Sequence, residues 1–153
     1  MNVVIASRQY ARKINRRLLK KITTALLVDL KIENAELGIH LVAAPEMTRL
    51  NETFLRHAGP TDVITFDYSI PRSRTSDPSP ELHGEIFICV DEAVLQARKF
   101  GTNWQSEVVR YIVHGVLHLL GFDDASAGVR RKMKRQEARL LRELSRRFPL
   151  SGL

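Results

Sequence analysis

Two histidines four residues apart, His114 and His118, are the residues of this chain best placed to do chemistry. They lie in an apolar run that predicts a helix, and their spacing puts both rings on one helix face with Cβ atoms about 5–6 Å apart. Gly121 ends the run as a C-cap glycine does, and Asp123 and Asp124 follow at once. A reversal at Gly121 would return one carboxylate to the imidazoles. The pattern therefore predicts a three-ligand site with one open position, as in catalytic zinc centres.

The residue after the first histidine narrows the class of substrate on which such a site could act. Zinc metallopeptidases carry His-Glu-x-x-His on the corresponding helix, and the glutamate is their general base. This chain has Gly115 there, which offers no side chain to accept a proton. The residues therefore favour a hydrolase that acts on a substrate other than peptide. The alternative is that both histidines are core side chains satisfied by backbone groups or acids.

Positive charge is concentrated in two segments of the chain. Its 24 lysines and arginines exceed its 17 acidic residues, for a formal net charge of +7. The two segments consist of Arg8, Arg12, Lys13, Arg16, Arg17, Lys20 and Lys21, and of Arg130, Arg131, Lys132, Lys134, Arg135, Arg139, Arg142, Arg146 and Arg147. Such clusters indicate either a phosphate-binding surface or two solvated helix faces.

Composition and the length of the apolar runs argue against a membrane-spanning, a secreted or a disulfide-bonded protein. Hydrophobic residues make up 44% and charged residues 27%, as in ordinary globular proteins. No apolar run approaches the roughly 20 residues of a membrane span, and the run at residues 2–6 is too short for a signal-peptide core. Cys89 is the single cysteine, so no internal disulfide can form. We therefore expect a cytoplasmic protein without a membrane partner, in which Cys89 is a small core residue.

The apolar periodicity predicts alternating strands and helices, followed by helices alone. Strands are predicted over residues 2–6, 35–44, 62–68 and 84–90, and helices over residues 10–30, 45–55, 91–100, 104–120 and 126–147. The expected N-caps are Asp91, Asn103 (or Thr102) and Ser126. Residues 69–81, which carry three prolines, predict a loop. We expect one α+β domain over residues 1–153, with a small four-stranded mixed sheet packed with helices. The metal site would lie on a central helix and the turn after it, in a zincin-like arrangement.

Several blocks of the chain resemble one known family. Residues 114–123, HGVLHLLGFD, are similar to the signature His-Gly-x-Leu-His-Leu-x-Gly-Tyr-Asp-His of the YbeY family of bacterial rRNA-maturation endoribonucleases. Leu50-Asn51 with residues 60–66 resembles its upstream block, and residues 84–88 its Gly-Asp-Ile strand. Glu107, Met133 and Glu137 also fit the family. The resemblance covers about residues 40–140.

The resemblance implies a single-strand-specific, metal-dependent endoribonuclease that matures the 3′ end of 16S rRNA and serves ribosome biogenesis and quality control. It implies one Zn²⁺ per chain held by His114, His118 and Asp124, with His114, His118 and Arg56 as catalytic residues. Asp124 stands where the family has a histidine. The family arginine falls on Leu55, so its neighbour Arg56 supplies the guanidinium after a local shift, or the role is lost. Expected partners are ribosomal RNA, the small ribosomal subunit and its assembly factors.

The sequence predicts the residues that contact RNA, and it leaves open the general base, the attacking group and two competing functions. RNA contacts are expected from Arg56, Arg12, Arg16, Lys20, Arg130 and Arg131. The general base is a choice between Glu107 and Asp123, and the attacking group is either a water or the ribose 2′-hydroxyl. Two other functions compete. One is a non-catalytic ribosome-assembly factor that binds RNA and whose metal site has degenerated through Asp124. The other is a zincin-like metallopeptidase, against which Gly115 argues.

Overall fold

Four strands form one mixed sheet in the computed structural model, which describes residues 1–55, 61–69, 81–123 and 125–153. The strands are β1 Asn2–Arg8, β2 Ala35–Val42, β3 Val63–Asp67 and β4 Leu82–Cys89, in the order β1-β2-β4-β3. β2 runs parallel to both β1 and β4, and β3 is antiparallel to β4. The predicted α+β class with a four-stranded mixed sheet is confirmed.

The described ranges also contain five α-helices, of which α1, α2 and α4 pack on the sheet while α3 and α5 pack mainly on other helices. They are α1 Arg16–Asp29, α2 Ala44–Leu50, α3 Val90–Phe100, α4 Trp104–Leu119 and α5 Ala127–Arg147. A π-helical turn, Asn51–Leu55, continues α2, and a 3₁₀ turn, Leu150–Gly152, follows α5. The N-caps of α4 and α5 are as predicted: Asn103 Oδ1 accepts from the backbone N–H of Ser106 (2.8 Å), and Ser126 Oγ from that of Val129 (3.4 Å).

The first helix starts later than the apolar periodicity predicts, at Arg16 instead of Tyr10. The side chain of Gln9 folds the intervening loop: its Oε1 accepts from the backbone N–H of Arg12 (3.0 Å), and its Nε2 donates to the carbonyl of Arg12 (2.7 Å). These bonds occupy backbone groups that a helix would use. The helix therefore begins only after Asn15, whose side chain caps it.

The sequence predicts that Asp91 caps α3. In the structure, its side chain instead binds the first backbone N–H of the neighbouring helix α2. Its carboxylate accepts a hydrogen bond of 2.7 Å from the backbone N–H of Ala44, the first residue of α2. The N-cap residue of α3 is Cys89, whose side chain makes no capping bond. A carboxylate at the start of α2 is favourable for the helix dipole. The bond also ties α2 to α3.

The hydrophobic core lies on both faces of the sheet. The main cluster, which includes Ile86 and Leu140, fills the space between the sheet and the helices α1, α4 and α5. A smaller cluster around Met47 and Phe87 lies on the opposite face, under α2. Cys89 belongs to this second cluster and is fully buried, and burial raises the pKa of its thiol to about 11. Its predicted role as a core residue is confirmed. Within the described ranges, no helix combines the length and apolar character that a membrane span requires.

α4 lies very close to the sheet because glycines stand at the contact. A Cβ on Gly115 would lie 2.9 Å from Cδ1 and from Cγ2 of Ile86. A Cβ on Gly84 would lie 2.6 Å from the carbonyl oxygen of Phe66 and 2.9 Å from Cδ2 of Leu119. All four distances are far inside van der Waals contact. Gly115 therefore faces β4, and packing alone demands a glycine there.

Replacing Gly115 by alanine is expected to lower the free energy of unfolding by about 1–3 kcal/mol, because the added Cβ overpacks a filled core. Gly128→Ala in α5 is the matched control, since a Cβ there meets nothing within 4 Å. Alanine should leave stability unchanged at Gly128 or raise it by up to about 1 kcal/mol. Urea unfolding of both variants measures the difference. A Gly115→Ala protein as stable as its parent would contradict the close packing.

Candidate functional site

His114 and His118 project from one face of α4 near its C-terminal end. Their Nε2 atoms are 3.1 Å apart, and the ring planes meet at 73°. Two nitrogens bound to one tetrahedral zinc ion at about 2.0–2.1 Å would lie about 3.4 Å apart. Both side chains are half-buried, with that of His114 32% exposed. The pair thus has the spacing of two ligands of one ion and is open to solvent.

Glu137 of α5 supports His114 from the side opposite His118. Its Oε2 accepts a hydrogen bond of 2.8 Å from Nδ1 of His114, and Glu137 is only 8% exposed. The carboxylate needs a donor, which assigns the ring proton to Nδ1 and leaves Nε2 of His114 as an acceptor facing Nε2 of His118. Metal-binding histidines almost always have such a partner on the second nitrogen.

Arg110 and Glu107 continue a chain of charged side chains behind the histidines. Arg110 donates from Nη1 to Oε1 of Glu137 (3.2 Å) and from Nε to Oε2 of Glu107 (3.0 Å). Burial would raise the pKa of Glu137, but the hydrogen bonds from His114 and Arg110, together with the positive charge of Arg110, outweigh it and hold the pKa below its ordinary value. Glu137 is therefore a stable carboxylate acceptor for His114.

The two residues considered as general bases both have structural contacts. Glu107 is 6% exposed, and Thr102 Oγ1 donates to its Oε1 (3.1 Å) while Arg110 binds its Oε2. Asp123 accepts from the backbone N–H of Ala125 (2.7 Å) and so shapes the turn after α4. Glu107 is therefore buried in an ion pair, whereas Asp123 is exposed and engages one oxygen, Oδ1, in the turn, so the choice of general base stays a prediction.

Asp124 and Arg56 lie outside the described residues, so the third metal ligand and the catalytic arginine stay predictions. The described ranges contain no group of three or more His, Cys, Asp or Glu side chains arranged for a metal ion. The two histidines are thus the described part of the predicted ligand set. Leu55, at the family's arginine position, ends the π-helical turn and is 46% exposed.

The remaining residues expected to contact RNA lie on or just before the two basic helices. Arg16 and Lys20 are exposed on α1, and Arg130 and Arg131 are exposed near the start of α5. Arg12 precedes α1 and donates to the carbonyl of Ala11 (2.7 Å). Their RNA contacts stay predictions.

Sequence reasoning assigned no role to Glu137, although it carried a signal. Met133, Leu140 and Leu144 form the buried stripe of α5, and Glu137 falls within the same stripe. An acid at such a position requires a partner, because an unpaired buried carboxylate is costly. The partner itself could not be identified, since His114 lies 23 residues away on another helix.

Comparison with known proteins identifies a family, several relatives in sequence and a similar fold. A family model described as Endoribonuclease YbeY matches residues 2–145. The Endoribonuclease YbeY of Sulfurihydrogenibium sp. is 33% identical over 79% of this chain and 77% of that protein. The Endoribonuclease YbeY of Aquifex aeolicus is 32% identical over 88% and 87% of the respective chains. The solution structure of TM1509 from Thermotoga maritima is similar in fold, with a TM-score of 0.63, 23% identity, and coverage of 94% of this chain and 89% of that one.

Glu137→Ala is expected to lower the free energy of unfolding by about 1–3 kcal/mol, because His114 and Arg110 lose their shared acceptor. In the metal-free variant, the proton of His114 should also no longer be fixed on Nδ1, which ¹⁵N NMR of the imidazole detects. Glu143→Ala is the control, since its exposed ion pair with Arg146 should contribute less than about 1 kcal/mol. An unchanged imidazole spectrum in Glu137→Ala would contradict the assigned hydrogen bond.

Proposed function

This chain belongs to the YbeY family, and from that premise we propose that it is a metal-dependent endoribonuclease that cleaves single-stranded RNA during rRNA processing. The observation that carries the proposal is the pair of Nε2 atoms 3.1 Å apart, with His114 supported by Glu137. The step we propose is maturation of the 3′ end of 16S rRNA, in ribosome biogenesis and quality control. The proposed partners are the small ribosomal subunit and its assembly factors.

We propose one Zn²⁺ per chain, held by His114, His118 and Asp124. The separation of the two nitrogens and the carboxylate on Nδ1 support the first two ligands. A divalent ion there would polarise a phosphate oxygen or lower the pKa of an attacking water. An aspartate in place of the family's histidine adds a negative charge to the ligand set. That water would therefore be less acidic than in a three-histidine site.

The chain's own residues supply orientation and charge. Glu137 holds the His114 ring in the tautomer that presents its Nε2 lone pair, and Arg110 holds Glu137 in place. Arg56 would neutralise the negative charge that develops at the scissile phosphate. The basic residues would bind the RNA backbone with little sequence preference, namely Arg12, Arg16, Lys20, Arg130 and Arg131.

The metallopeptidase alternative is disfavoured by the packing of α4. A side chain at position 115 would extend towards Ile86, whose atoms lie 2.9 Å from the Cβ position. A glutamate there has no room to reach the histidines. The second alternative, a non-catalytic assembly factor, requires that the chain bind RNA without holding a metal ion or cleaving RNA.

Cleavage of a fluorescently labelled single-stranded RNA tests the activity. We expect cleavage by the parent protein, and loss of at least about a hundredfold in His114→Ala and in the presence of EDTA, because both remove the proposed Lewis acid. His83→Ala, which removes an exposed histidine from β4, is the control and should cleave normally. Equal cleavage in all samples would refute the metal-nuclease assignment, and cleavage of unstructured peptides alone would indicate the peptidase.

Metal analysis of purified protein tests the ligand set independently of activity. We expect about one zinc ion per chain in the parent, and loss of zinc affinity in His118→Ala and Asp124→Ala, since each removes one of three ligands. Asp124→His should bind zinc because it restores the family's ligand type. Full zinc occupancy and unchanged affinity in Asp124→Ala would exclude Asp124 as a ligand. A parent protein free of zinc would favour the degenerate assembly factor.

A further inference from the structure

The two basic segments meet at a groove between α1 and the end of α5. The groove has a volume of about 830 Å³. The lining residues used below are Arg17, Lys20, Lys21, Val28, Arg147 and Phe148. Arg147 is ten residues after Glu137, which corresponds to about 15 Å along α5. The groove is therefore separate from the histidine pair.

Among the described residues, no acidic side chain pairs with the cations that α1 contributes to the groove. Within the described ranges, Arg17, Lys20 and Lys21 form no ion pair, and the sequence from Arg8 to Lys21 contains no acid. Like charges three and four residues apart on a helix repel one another. Binding of an anion would relieve this repulsion, so the surface is electrostatically complementary to an anion.

An aromatic ring lines the same groove. The Phe148 ring is half-buried, and Val28 is 58% exposed in the same groove. The guanidinium of Arg147, which pairs with Asp29 of α1, lies 5.9 Å from the ring centroid. Single-stranded nucleic acids are bound on this kind of surface, where bases stack on aromatic rings while cations bind the phosphates. Bases in a duplex already stack on one another, so the ring favours an unpaired strand.

A further set of cations lies on the exposed face of α5. Lys132, Arg135, Arg139 and Arg142 follow one another at spacings of three or four residues and line a common hollow. An acidic peptide seated in the groove would neutralise the groove alone. A polyanion of several nucleotides can also extend along α5, so the distribution of charge favours RNA over protein.

We propose that the groove between α1 and the end of α5 is a second RNA-contact site, which seats a single-stranded segment of the substrate away from the histidine pair. Phosphates bind Arg17, Lys20 and Lys21, and a base stacks on Phe148. The proposal rests on the proposed function in one respect: the RNA seated here is the one cleaved at the histidines. Binding is then divided between a centre that cleaves and a groove that only holds.

Fluorescence anisotropy with a labelled single-stranded RNA of about 20 nucleotides tests the groove, in EDTA to prevent cleavage and over a series of salt concentrations. In Lys20→Gln/Lys21→Gln, the slope of log affinity against log salt should fall by about 1.4, since two phosphate contacts are lost. In Phe148→Leu, affinity should fall about fivefold or more with the slope unchanged, since stacking alone is lost.

A matched control exists on α3, where Lys99 lies 5.4 Å from the exposed ring of Phe100. Arg98→Gln/Lys99→Gln and Phe100→Leu make the same chemical changes outside the groove and should leave RNA affinity within twofold of the parent. Thermal unfolding confirms that all variants are folded. Equal affinity in groove and control variants overturns the proposal. Unchanged RNA affinity with loss of binding to an acidic amphipathic peptide also overturns it and assigns the groove to a protein.

The outcome is separable from that of the proposed function. Groove-dependent RNA binding by a parent protein that does not cleave RNA refutes the nuclease assignment and supports the groove as an RNA-contact site. Metal-dependent cleavage together with groove variants that bind RNA like the parent refutes the groove and supports the nuclease.

Discussion

The close approach of α4 to β4 is the constraint on which the candidate site depends. Gly84 and Gly115 remove the side chains that would separate the two elements, and the neighbouring side chains on the Gly115 side of α4 are buried, namely Val108, Ile112 and Leu119. Burial of that face fixes the rotation of the helix about its axis. The histidines consequently emerge on the side that α5 covers, where Glu137 meets them. The geometry of the pair is thus a result of sheet packing as much as of the histidine spacing.

The charged chain behind the histidines shows how the fold tolerates ions in its interior. Glu107 and Glu137 are both nearly buried, and Arg110 binds one oxygen of each. A buried carboxylate without such a partner would cost several kcal/mol. The network links two helices through side chains of opposite charge, so it orients His114 and also joins α5 to α4. One set of contacts therefore serves both stability and the geometry of the site.

Much of this arrangement could be predicted from the sequence, and the exceptions have a common cause. Local patterns were sufficient for the four strands, for the caps Asn103 and Ser126, and for the shared face of the histidines, because each depends on residues close in the chain. The predicted start of α1 was wrong because the side chain of Gln9 binds the backbone N–H and carbonyl of Arg12, which a helix would use. The contacts of Asp91 and Glu137 were missed because their partners are 47 and 23 residues away. The periodicity of apolar residues predicts which face of a helix or strand is buried, but it does not predict which residues pack against that face.

The basic helices have a consequence for how the free protein responds to its ionic environment. No acid lies in the first turn of α1 or of α5, so each helix begins without a charge that would offset its dipole, and the cations along it repel one another. Dissolved salt screens this repulsion, and it would also compete with RNA at the contacts proposed for the same cations. Ionic strength would therefore act in opposite directions on folding and on binding. A polyanion that bound the folded chain at these helices would relieve the repulsion directly, so its binding and the stability of the fold would be thermodynamically linked.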